Sequence, residues 1–517
     1  MLQKRNRMQL KDKNIIIVGL ARSGAGAANL LAELGASVTV TDMKSEDELA
    51  DATSRLLPSV MLVLGGHPED IFMSADMIVL SPGVPLDIKP LASAKARGVK
   101  IIGELELAYQ IIVSTEYRVQ STGSENQIPF LAVTGSNGKS TTTTLLDFMM
   151  RKGGFKAMLG GNIGNALTEE ILKEVNSEKL KVKSEETNLE VGSKSENLSP
   201  FTFHLSQDFI VAEVSSFQLE AIDKFRPHIA SILNITPDHL DRYHSMSEYS
   251  DAKAKIFFNQ QANDFLVLNA DDTETIKVQS TKYKVQSNKP KVFYFSRKKE
   301  VEGVYLKDGI ICSNFPNLAC RQAGSERYFP LINADEVKIK GVHNLENAMA
   351  ASAMALLANC PVEAVIDSLR EFKGLEHRLE FVRELDGVRY FNDSKGTNVG
   401  AVIKSIESFQ EPLILIAGGR DKAGEFSALR EVVKERVKTL ILIGEAAGEI
   451  RDALGDVSDT IMAKDMEDAV KKSHDIARKG NVVLLSPACA SFDMFRDFED
   501  RGRQFKQNVM ELEKQYA

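Results

Sequence analysis

The segment TGSNGKST, residues 134–141, places the strongest constraint on how this chain folds. It follows the apolar run PFLAV and precedes a stretch that favours helix, which is the strand, loop and helix order of a phosphate-binding loop. Its glycines let backbone N–H groups converge on phosphate oxygens, and the helix presents the positive end of its dipole to the same anion. The sequence therefore predicts a nucleotide phosphate site formed by Gly135, Ser136, Asn137, Gly138, Lys139, Ser140 and Thr141.

Two kinds of side chain in this loop carry chemistry. Lys139 has the charge to neutralise β and γ phosphates, and the hydroxyl of Ser140 or Thr141 is able to bind Mg²⁺. The loop departs from the standard pattern, because its first glycine is Gly135 and Val133 stands six positions before the lysine. A helix-capping turn is the alternative interpretation. The loop alone does not distinguish a kinase, an ATPase or a ligase.

Short apolar runs alternate with helical stretches, which predicts an α/β protein built on parallel sheets. At 517 residues the chain is too long for one core. The polar stretch STGSENQ and a change of character near GLEHRLEFV divide it into three predicted domains. These are residues 1–120, Rossmann-like; 121–374, a central phosphate-loop ATPase-like sheet; and 375–517, Rossmann-like again. Polar runs near 176–204 and 273–330 are interpreted as solvated surface insertions.

The composition excludes several classes of function. A net charge of −8 gives no general attraction for nucleic acid or an anionic membrane, so local groups must hold an anionic substrate. The four cysteines form no CxxC pair and are typical of a reducing compartment. The apolar run at 15–18 is too short for a signal segment or a membrane span. We predict a cytoplasmic protein with no nucleic-acid partner and no membrane insertion.

Acidic, hydroxyl and histidine side chains follow two further apolar runs. DFIVAEVSSFQLE places Glu213 and Ser215 at the end of one predicted strand, and SILNITPDHLDRY places Asp238 and His239 at the end of another. In a parallel sheet these strand ends share an edge with the phosphate loop, so the side chains can converge on its Mg²⁺. Each taken alone is more typical of a helix cap or a surface pair.

Eight strings in this order closely resemble the Mur ligases of peptidoglycan synthesis. They are TGSNGKST, GGNIG, EVSSFQLE, NITPDHLDRY, GVHNLENAMAA, GLEHRLEFV, NDSKGTN and LLSPACASFDMF. The resemblance runs from about Ile15 to about Phe505. It implies a nucleotide-sugar-binding first domain, an ATP-binding central domain and an amino-acid-binding third domain.

The resemblance also implies ATP and two Mg²⁺ ions. YSDAKAKIF contains Lys253, which matches the lysine that this family carbamylates; a carbamate is an anion that approaches Mg²⁺, whereas an ammonium repels it. Without the resemblance, Lys253 would be interpreted as a solvated helix lysine. The implied metal ligands are Ser140, Glu213, His239 and carbamylated Lys253; the implied catalytic residues are Lys139, His239, Lys253 and Lys395; and the implied further ATP contacts are Asn344, Arg378 and Asp393.

GLARSG follows the first strand, and Asp42 ends the second, which is the spacing of a dinucleotide site. However, Ala21 stands at the middle glycine position of GxGxxG. The resemblance instead gives this loop to the uridine diphosphate end of a nucleotide sugar. The implied substrate contacts are Arg22, Ser23 and Asp42 for UDP; Ser81, Gly83 and Asn162 for the muramoyl part; Thr397, Lys422, Ser491 and Phe498 for the incoming amino acid; and Ser215, with no part of the substrate assigned to it.

Relatives that add diaminopimelate or lysine are expected to carry a DNPR-like motif, and the sequence has none. This favours the members that join D-glutamate to UDP-N-acetylmuramoyl-L-alanine, through an acyl phosphate made from ATP, and we expect a monomer. Two alternatives stay open. The chain could use another amino acid or a folate, or it could be an NAD-binding or NTP-sensing regulatory module.

Overall fold

The computed structural model describes residues 10–114, 128–186, 205–238, 242–282, 289–315, 329–421 and 425–513, with the side chains of 178–186 and 282 left undescribed. These residues form two compact units. The described parts of Met1–Val337 and Glu346–Arg370 make one unit, and those of Lys338–Leu345 and Glu371–Ala517 make the other. Three sheets are present in this part of the chain, two in the first unit and one in the second. The predicted α/β class with three parallel-sheet domains is therefore confirmed.

Residues 14–103 contain five parallel strands that alternate with helices and form a sheet in the order β3-β2-β1-β4-β5. Strand β1 is central because the run Ile15–Val18 is apolar on both faces and is fully buried. The elements are β1 (Asn14–Val18), α1 (Arg22–Glu33), β2 (Ser37–Asp42), α2 (Ala50–Thr53), β3 (Met61–Leu64), α3 (Glu69–Met73), β4 (Met77–Leu80), α4 (Lys89–Ala96), β5 (Lys100–Gly103) and α5 (Glu104–Ser114).

The central sheet has nine strands among the described residues, in the order β14-β13-β12-β11-β10-β9-β6-β8-β7. The strands from β7 to β12 are parallel, and β13 and β14 are added as antiparallel strands at one edge. The elements are β6 (Phe130–Thr134), α6 (Lys139–Lys152), β7 (Ala157–Gly161), α7 (Leu167–Glu186), β8 (Phe209–Glu213), α8 (Ser216–Glu220), β9 (Ile229–Ile232), α9 (Met246–Ala254), β10 (Phe265–Asn269), α10 (Thr273–Lys282), β11 (Lys291–Ser296), β12 (Gly303–Lys307), β13 (Ile310–Asn314), β14 (Phe329–Asn333), α11 (Val342–Leu357) and α12 (Val362–Glu371).

The interpretation of 273–330 as a solvated insertion was wrong. The described part of this region contains α10 and four strands that extend the central sheet. Its apolar side chains are core residues, with Phe295 and Val304 each 0% exposed. Among the described residues, exposed polar side chains lie at strand ends and turns, as at Lys291, Lys307 and Asp308. Of the other predicted insertion, 176–204, the structure describes only the backbone continuation of α7 to Glu186 and the first two residues' side chains.

The second unit contains a six-stranded sheet within its described ranges, in the order β15-β16-β20-β17-β18-β19, with only β15 antiparallel to its neighbour. Apolar side chains cover both faces of the sheet, as the runs LILIAG and VVLL predict. The elements are β15 (Glu380–Leu385), β16 (Val388–Asn392), α13 (Val399–Glu407), β17 (Leu413–Gly418), α14 (Arg430–Arg436), β18 (Val437–Ile443), α15 (Ala447–Leu454), β19 (Asp459–Met462), α16 (Met466–Ile476), β20 (Val482–Leu485) and α17 (Phe498–Glu511).

Helix α5 joins the first sheet to the central sheet. Its Tyr109 ring packs edge-on against Phe130 at 5.4 Å and Phe225 at 5.5 Å between centroids. Its Glu106, which is 0% exposed, accepts backbone hydrogen bonds from three consecutive residues, 223–225, at 2.8 to 2.9 Å. Glu104 accepts from the backbone N–H and hydroxyl of Thr168 at 2.9 and 2.8 Å. The two sheets therefore share one interface and one core.

The predicted boundary at 120/121 lies outside the described residues, and the one at 374/375 stays a prediction. Among the described helices, none combines the length and the apolar character that a membrane-crossing segment requires.

Candidate active site

The phosphate loop connects the buried strand β6 to helix α6. Gly138 precedes the helix with φ +84°, a left-handed conformation that favours glycine. A Cβ there would lie 2.2 Å from Oδ1 of Asn347, so a side chain at this position would displace Asn347. Ser140 and Thr141 form the first turn of α6 and are 4% and 6% exposed. The predicted strand, loop and helix order is present.

The segment after β9 holds this loop in shape. The backbone N–H of Ser136 donates to the carbonyl of Asn234 at 2.9 Å, and that of Asn137 donates to Oδ1 of Asn234 at 2.9 Å. The Ser136 hydroxyl donates to the Thr236 carbonyl at 3.0 Å. Lys139 folds back over the loop, with Nζ 2.9 Å from the carbonyl oxygen of Gly135. The loop is therefore preorganised, with a cation above it.

Glu213 ends β8 directly beside the strand that leads into the loop, in register with Val133. Its side chain is 1% exposed, and Oε1 accepts a hydrogen bond from Nδ2 of Asn162 at 2.6 Å. Within the described residues, Oε2 has no hydrogen-bond partner. A buried carboxylate oxygen without a partner is costly in the protein alone and is a suitable ligand for a divalent cation.

These residues therefore fit Mg²⁺ at the loop. A hydroxyl and a carboxylate are the oxygen donors that this ion prefers. The described residues contain no cluster of three or more His, Cys, Asp or Glu side chains around one point. A complete set of Mg²⁺ ligands would therefore include loop hydroxyls, substrate phosphates or side chains beyond the described residues. His239 is outside it, and its predicted role stays a prediction.

Lys253 lies in helix α9 and is 1% exposed, so its interpretation as a solvated lysine is wrong. Nζ donates to the carbonyl of Gly135 at 3.0 Å and lies 4.4 Å from the ring centroid of Tyr249. Burial and the nearby charge of Lys139 hold the pKa of Lys253 well below its usual value, against a smaller opposing effect of Asp238. The structure thus places Lys253 at the phosphate loop and favours its neutral amine.

Ser215 has the structural role that its residue type commonly has. It is the N-cap of α8, where its hydroxyl accepts from the N–H of Gln218 at 3.2 Å in a capping box. Asp238 is exposed beyond the end of β9. Their predicted convergence on the metal is therefore not visible in the described geometry, and Ser215 as a substrate contact stays a prediction.

The predicted nucleotide-sugar residues of the first domain surround the loop after β1. Asp42 accepts from the N–H of Leu20 at 2.6 Å, and the Ser81 hydroxyl donates to the Gly19 carbonyl at 2.7 Å. Arg22 begins α1 and donates to the carbonyl of Gly164 at 2.7 Å, which connects this loop to the GGNIG segment of the central domain. The structure thus places Arg22, Asp42 and Ser81 around this loop, whereas the side chain of Asn162 donates to Glu213.

Ser23 is part-buried in the first turn of α1, and Gly83 is exposed in the loop after β4.

In the second unit Asp393, Lys395 and Thr397 lie on the loop after β16, and Ser491 lies on the loop after β20. Asp393 follows β16 and is 5% exposed; Oδ2 accepts from the hydroxyls of Ser405 at 2.6 Å and Ser486 at 2.7 Å. Burial raises the pKa of the Asp393 carboxyl. Lys395 holds its ammonium 5.1 Å from the ring of Phe498. The other predicted residues occupy nearby or preceding segments, with Ser491 buried and Asn344, Arg378 and Thr397 part-buried, whereas Lys422 lies outside the described residues.

Sequence reasoning missed Arg501 on α17. It is 0% exposed, and it donates from Nε to Oγ of Ser394 at 3.0 Å and from Nη2 to the carbonyls of Ser394 and Cys489 at 2.9 and 3.2 Å. Burial lowers its pKa to about 10. Arg501 therefore joins the loop that carries Lys395 to the loop that carries Ser491.

Three family domains match the chain with this geometry. The Mur ligase middle domain matches residues 133–355, the MurD-like N-terminal domain of Mur ligases matches 13–103, and the Mur ligase glutamate ligase domain matches 377–489. The chain belongs to the Mur ligase family. The family resemblance read from the eight strings is confirmed.

Curated Mur ligases are similar over almost the whole chain, and each of the following is named UDP-N-acetylmuramoylalanine–D-glutamate ligase. The protein of Geotalea daltonii is 44% identical over 98% of this chain and 99% of its own. That of Citrifermentans bemidjiense is 43% identical, covering 97% and 98%. That of Clostridioides difficile is 42% identical, covering 98% and 100%.

Two solved Mur ligases from Thermotoga maritima share the fold. The UDP-N-acetylmuramate-alanine ligase has a TM-score of 0.54 at 17% identity, covering 96% of this chain and 99% of its own. The MurF ligase in complex with ADP has a TM-score of 0.54 at 15% identity, covering 97% and 98%.

Proposed function

We propose that this chain joins D-glutamate to UDP-N-acetylmuramoyl-L-alanine at the expense of ATP, in peptidoglycan precursor synthesis. The observation that carries the proposal is similarity at 42 to 44% identity, over nearly full length, to ligases named for this reaction. The preorganised phosphate loop supports the ATP-dependent step. The nicotinamide and nucleotide-sensing alternatives have no comparable support.

The reaction needs ATP because a carboxylate is a poor electrophile. The alanyl carboxylate attacks the γ-phosphorus of ATP, which gives an acyl phosphate and ADP. The amine of D-glutamate then attacks the acyl carbon, and the tetrahedral intermediate expels phosphate and forms the amide. Lys139, whose Nζ donates to the Gly135 carbonyl of the phosphate loop, is proposed to offset the charge on the transferring group in both steps. No covalent enzyme intermediate is involved.

Mg²⁺, when bound, would supply further positive charge to the phosphate oxygens. Residues of this chain that would hold it are Ser140, Glu213 and His239. Two ions are proposed, the second served by His239. The unpartnered oxygen of Glu213 is the structural feature that supports this assignment.

Carbamylated Lys253 is the remaining proposed metal-site group. A carbamate forms when a neutral amine attacks the carbon of CO₂ and loses a proton. Burial and the nearby charge of Lys139 lower the pKa of Lys253, which favours that neutral amine. The product is an anion beside Lys139, so an unfavourable pair of cations becomes a favourable pair of opposite charges.

The substrate contacts are proposed as follows. Arg22, Ser23 and Asp42 contact UDP, and Ser81, Gly83, Asn162 and Ser215 contact the muramoyl part. Asn344, Arg378 and Asp393 contact ATP. Thr397, Lys422, Ser491 and Phe498 surround D-glutamate, with Lys395 as a catalytic cation, because hydroxyls and cations suit its two carboxylates. We also propose that the enzyme is a cytoplasmic monomer.

The proposal is tested by phosphate release from purified protein with ATP, Mg²⁺ and UDP-N-acetylmuramoyl-L-alanine. D-Glutamate is compared with L-glutamate, L-lysine, diaminopimelate and no acceptor. Release that depends on D-glutamate is the expected result. Release with a different acceptor would retain the ligase chemistry and overturn the substrate. No release with any acceptor would favour a nucleotide-sensing module.

A further inference from the structure

Arg242 lies between the loop that follows β4 and the central domain, and the sequence reasoning assigned it no role. Its Nη1 donates to the carbonyl of Gly83 at 3.2 Å, and its Nη2 lies 3.4 Å from the carbonyl oxygen of Val84. Nη2 also donates to Oε2 of Glu220 at 2.7 Å. The guanidinium stacks 4.5 Å from the ring centroid of Phe217. One planar group therefore contacts two carbonyls of the first domain and two side chains of the central domain.

The contacts continue from Arg242 to the phosphate loop. The second oxygen of Glu220 accepts from the hydroxyl of Tyr243 at 2.5 Å. The Tyr243 ring lies 5.2 Å from the ring of Tyr249. The Tyr249 hydroxyl is 3.2 Å from Oγ of Ser136 in the phosphate loop. We call Arg242, Glu220, Tyr243 and Tyr249 the bridge, and it runs without a gap between the two loops.

We infer that Arg242 is a positioning residue for the nucleotide sugar. The inference rests on the proposed function, in which the loop at Ser81 and Gly83 contacts the muramoyl part and the phosphate loop holds ATP. The acyl phosphate forms only when the substrate carboxylate lies within reach of the γ-phosphate, and small errors in that distance are costly. Arg242 sets this distance by holding the loop carbonyls against the central domain.

A purely structural role for Arg242 would have a different signature. The Gly83 loop is exposed, so water can satisfy its carbonyls when the guanidinium is removed. The free energy of folding then changes little. The loop that carries Gly83 becomes more mobile, and binding of the nucleotide sugar has to order it. The expected loss therefore appears in KM for the nucleotide sugar and not in the stability of the fold.

The test compares Arg242→Gln and Arg242→Lys with Arg226→Gln. Arg226 is a matched control, because it is also a part-buried arginine of the central domain, 27% exposed against 22%, and pairs with Asp264 at 2.6 Å instead of with a substrate loop. KM for the nucleotide sugar, ATP and D-glutamate and the melting temperature are measured for each variant. We expect Arg242→Gln to raise KM for the nucleotide sugar about tenfold and KM for ATP less than about twofold.

Arg242→Lys keeps the charge and the apolar stem but not the fork, so we expect an intermediate rise of about threefold. It also keeps the test decisive if the glutamine variant does not fold. Glu220→Gln provides a second route, because it weakens the anchor of the guanidinium. The double variant that combines Arg242→Gln with Glu220→Gln is expected to have the same KM for the nucleotide sugar as Arg242→Gln alone, since both changes act on one contact.

If the wild-type enzyme is active, equal KM values for the nucleotide sugar in Arg242→Gln and Arg226→Gln would overturn the inference. So would equal rises in KM for all three substrates, or additive effects in the double variant. Failure of the unmodified enzyme to release phosphate with D-glutamate would overturn the proposed function, and this inference with it.

Discussion

The central domain and the second unit both bury charged side chains, but they satisfy them differently. Arg501 donates five hydrogen bonds, and Asp393 accepts from two hydroxyls and a backbone N–H. By contrast, Oε2 of the buried Glu213 has no hydrogen-bond partner in the described structure. Burial and the nearby charge of Lys139 disfavour the ammonium form of Lys253, so its pKa is lowered. Burying a charge costs several kcal/mol unless partners compensate it. In this comparison the complete network of Arg501 joins two loops, whereas Glu213 and Lys253 lie at the proposed ligand site.

Glu213→Gln should have the largest effect. It keeps the acceptor for Asn162 but removes the negative charge, and we expect activity to fall about 1,000-fold without a lower melting temperature. Phosphate release and thermal melting with and without Mg²⁺ and ATP measure both effects. Glu104→Gln is the matched control. Glu104 is also buried with an unpartnered oxygen, but it lies against Thr168 and not at the phosphate loop.

Full activity in Glu213→Gln would contradict the proposal that the unpartnered oxygen of Glu213 binds Mg²⁺. An equal loss in Glu104→Gln would show that any buried carboxyl of this unit matters, whatever its position.

Arg501→Met tests the complete network. The change removes the guanidinium donors from the buried carbonyls of Ser394 and Cys489, and we expect the free energy of unfolding measured in urea to fall by about 3 kcal/mol. Arg420→Met in the same unit, where an exposed arginine pairs with Glu445 at the surface, should leave the unfolding midpoint unchanged. A similar midpoint for both variants would contradict a scaffold role for Arg501.

Lys253→Met should remove a pH dependence. In the folded protein the pKa of Lys253 lies well below 10.5, so the unfolded chain binds more protons in the window between the folded value and about 10.5. Stability supplied at this position therefore increases as pH rises through that window and is lost as pH falls. In carbonate-free buffer, the free energy of unfolding of Lys253→Met minus that of the wild-type protein should be larger at pH 7.5 than at pH 9.5, so that the variant gains relative stability as pH falls.

The same variant tests the anionic role of this position. It should lose activity, and a short carboxylic acid should restore part of it by replacing the carbamate. Rescue by a short amine instead would mean that position 253 acts as a cation.

Ser215→Ala should have the smallest effect. Loss of the N-cap costs about 1 kcal/mol of stability, and Ser215→Thr should retain it. The proposed place of Ser215 at the muramoyl group also predicts a higher KM for the nucleotide sugar in the alanine variant. Reduced stability without a change in KM would remove Ser215 from the proposed site.

The parts of the molecule that could be predicted from the sequence are those whose structure depends on residues close together along the chain. The phosphate loop and the buried parallel strands have this property, because their geometry depends on residues a few positions apart. Strands β11 to β14 were missed although their letters are mostly apolar, because each is only five or six residues long and the surrounding stretches are polar. The antiparallel strands β13 and β14 can only be recognised from their pairing.

Charged networks were harder to predict than strands. Arg501 and Ser394 are 107 positions apart, and most of the partners of Arg501 are backbone carbonyls, which every residue possesses. The burial of Lys253 was likewise invisible, because its helix is rich in polar residues. Only the family resemblance gave that lysine a role.

The contact of Glu106 has a consequence for the order of events during synthesis. Glu106 leaves the ribosome 117 residues before Asp223, whose N–H is the first of the three that it accepts. Until that later segment emerges, the carboxylate must stay hydrated, because burying it unpaired is strongly unfavourable. Helix α5 therefore cannot reach its final packing while the first domain is alone outside the ribosome. The first domain is completed only after β8 and α8 have been made, so vectorial folding here ends later than the domain's own last residue.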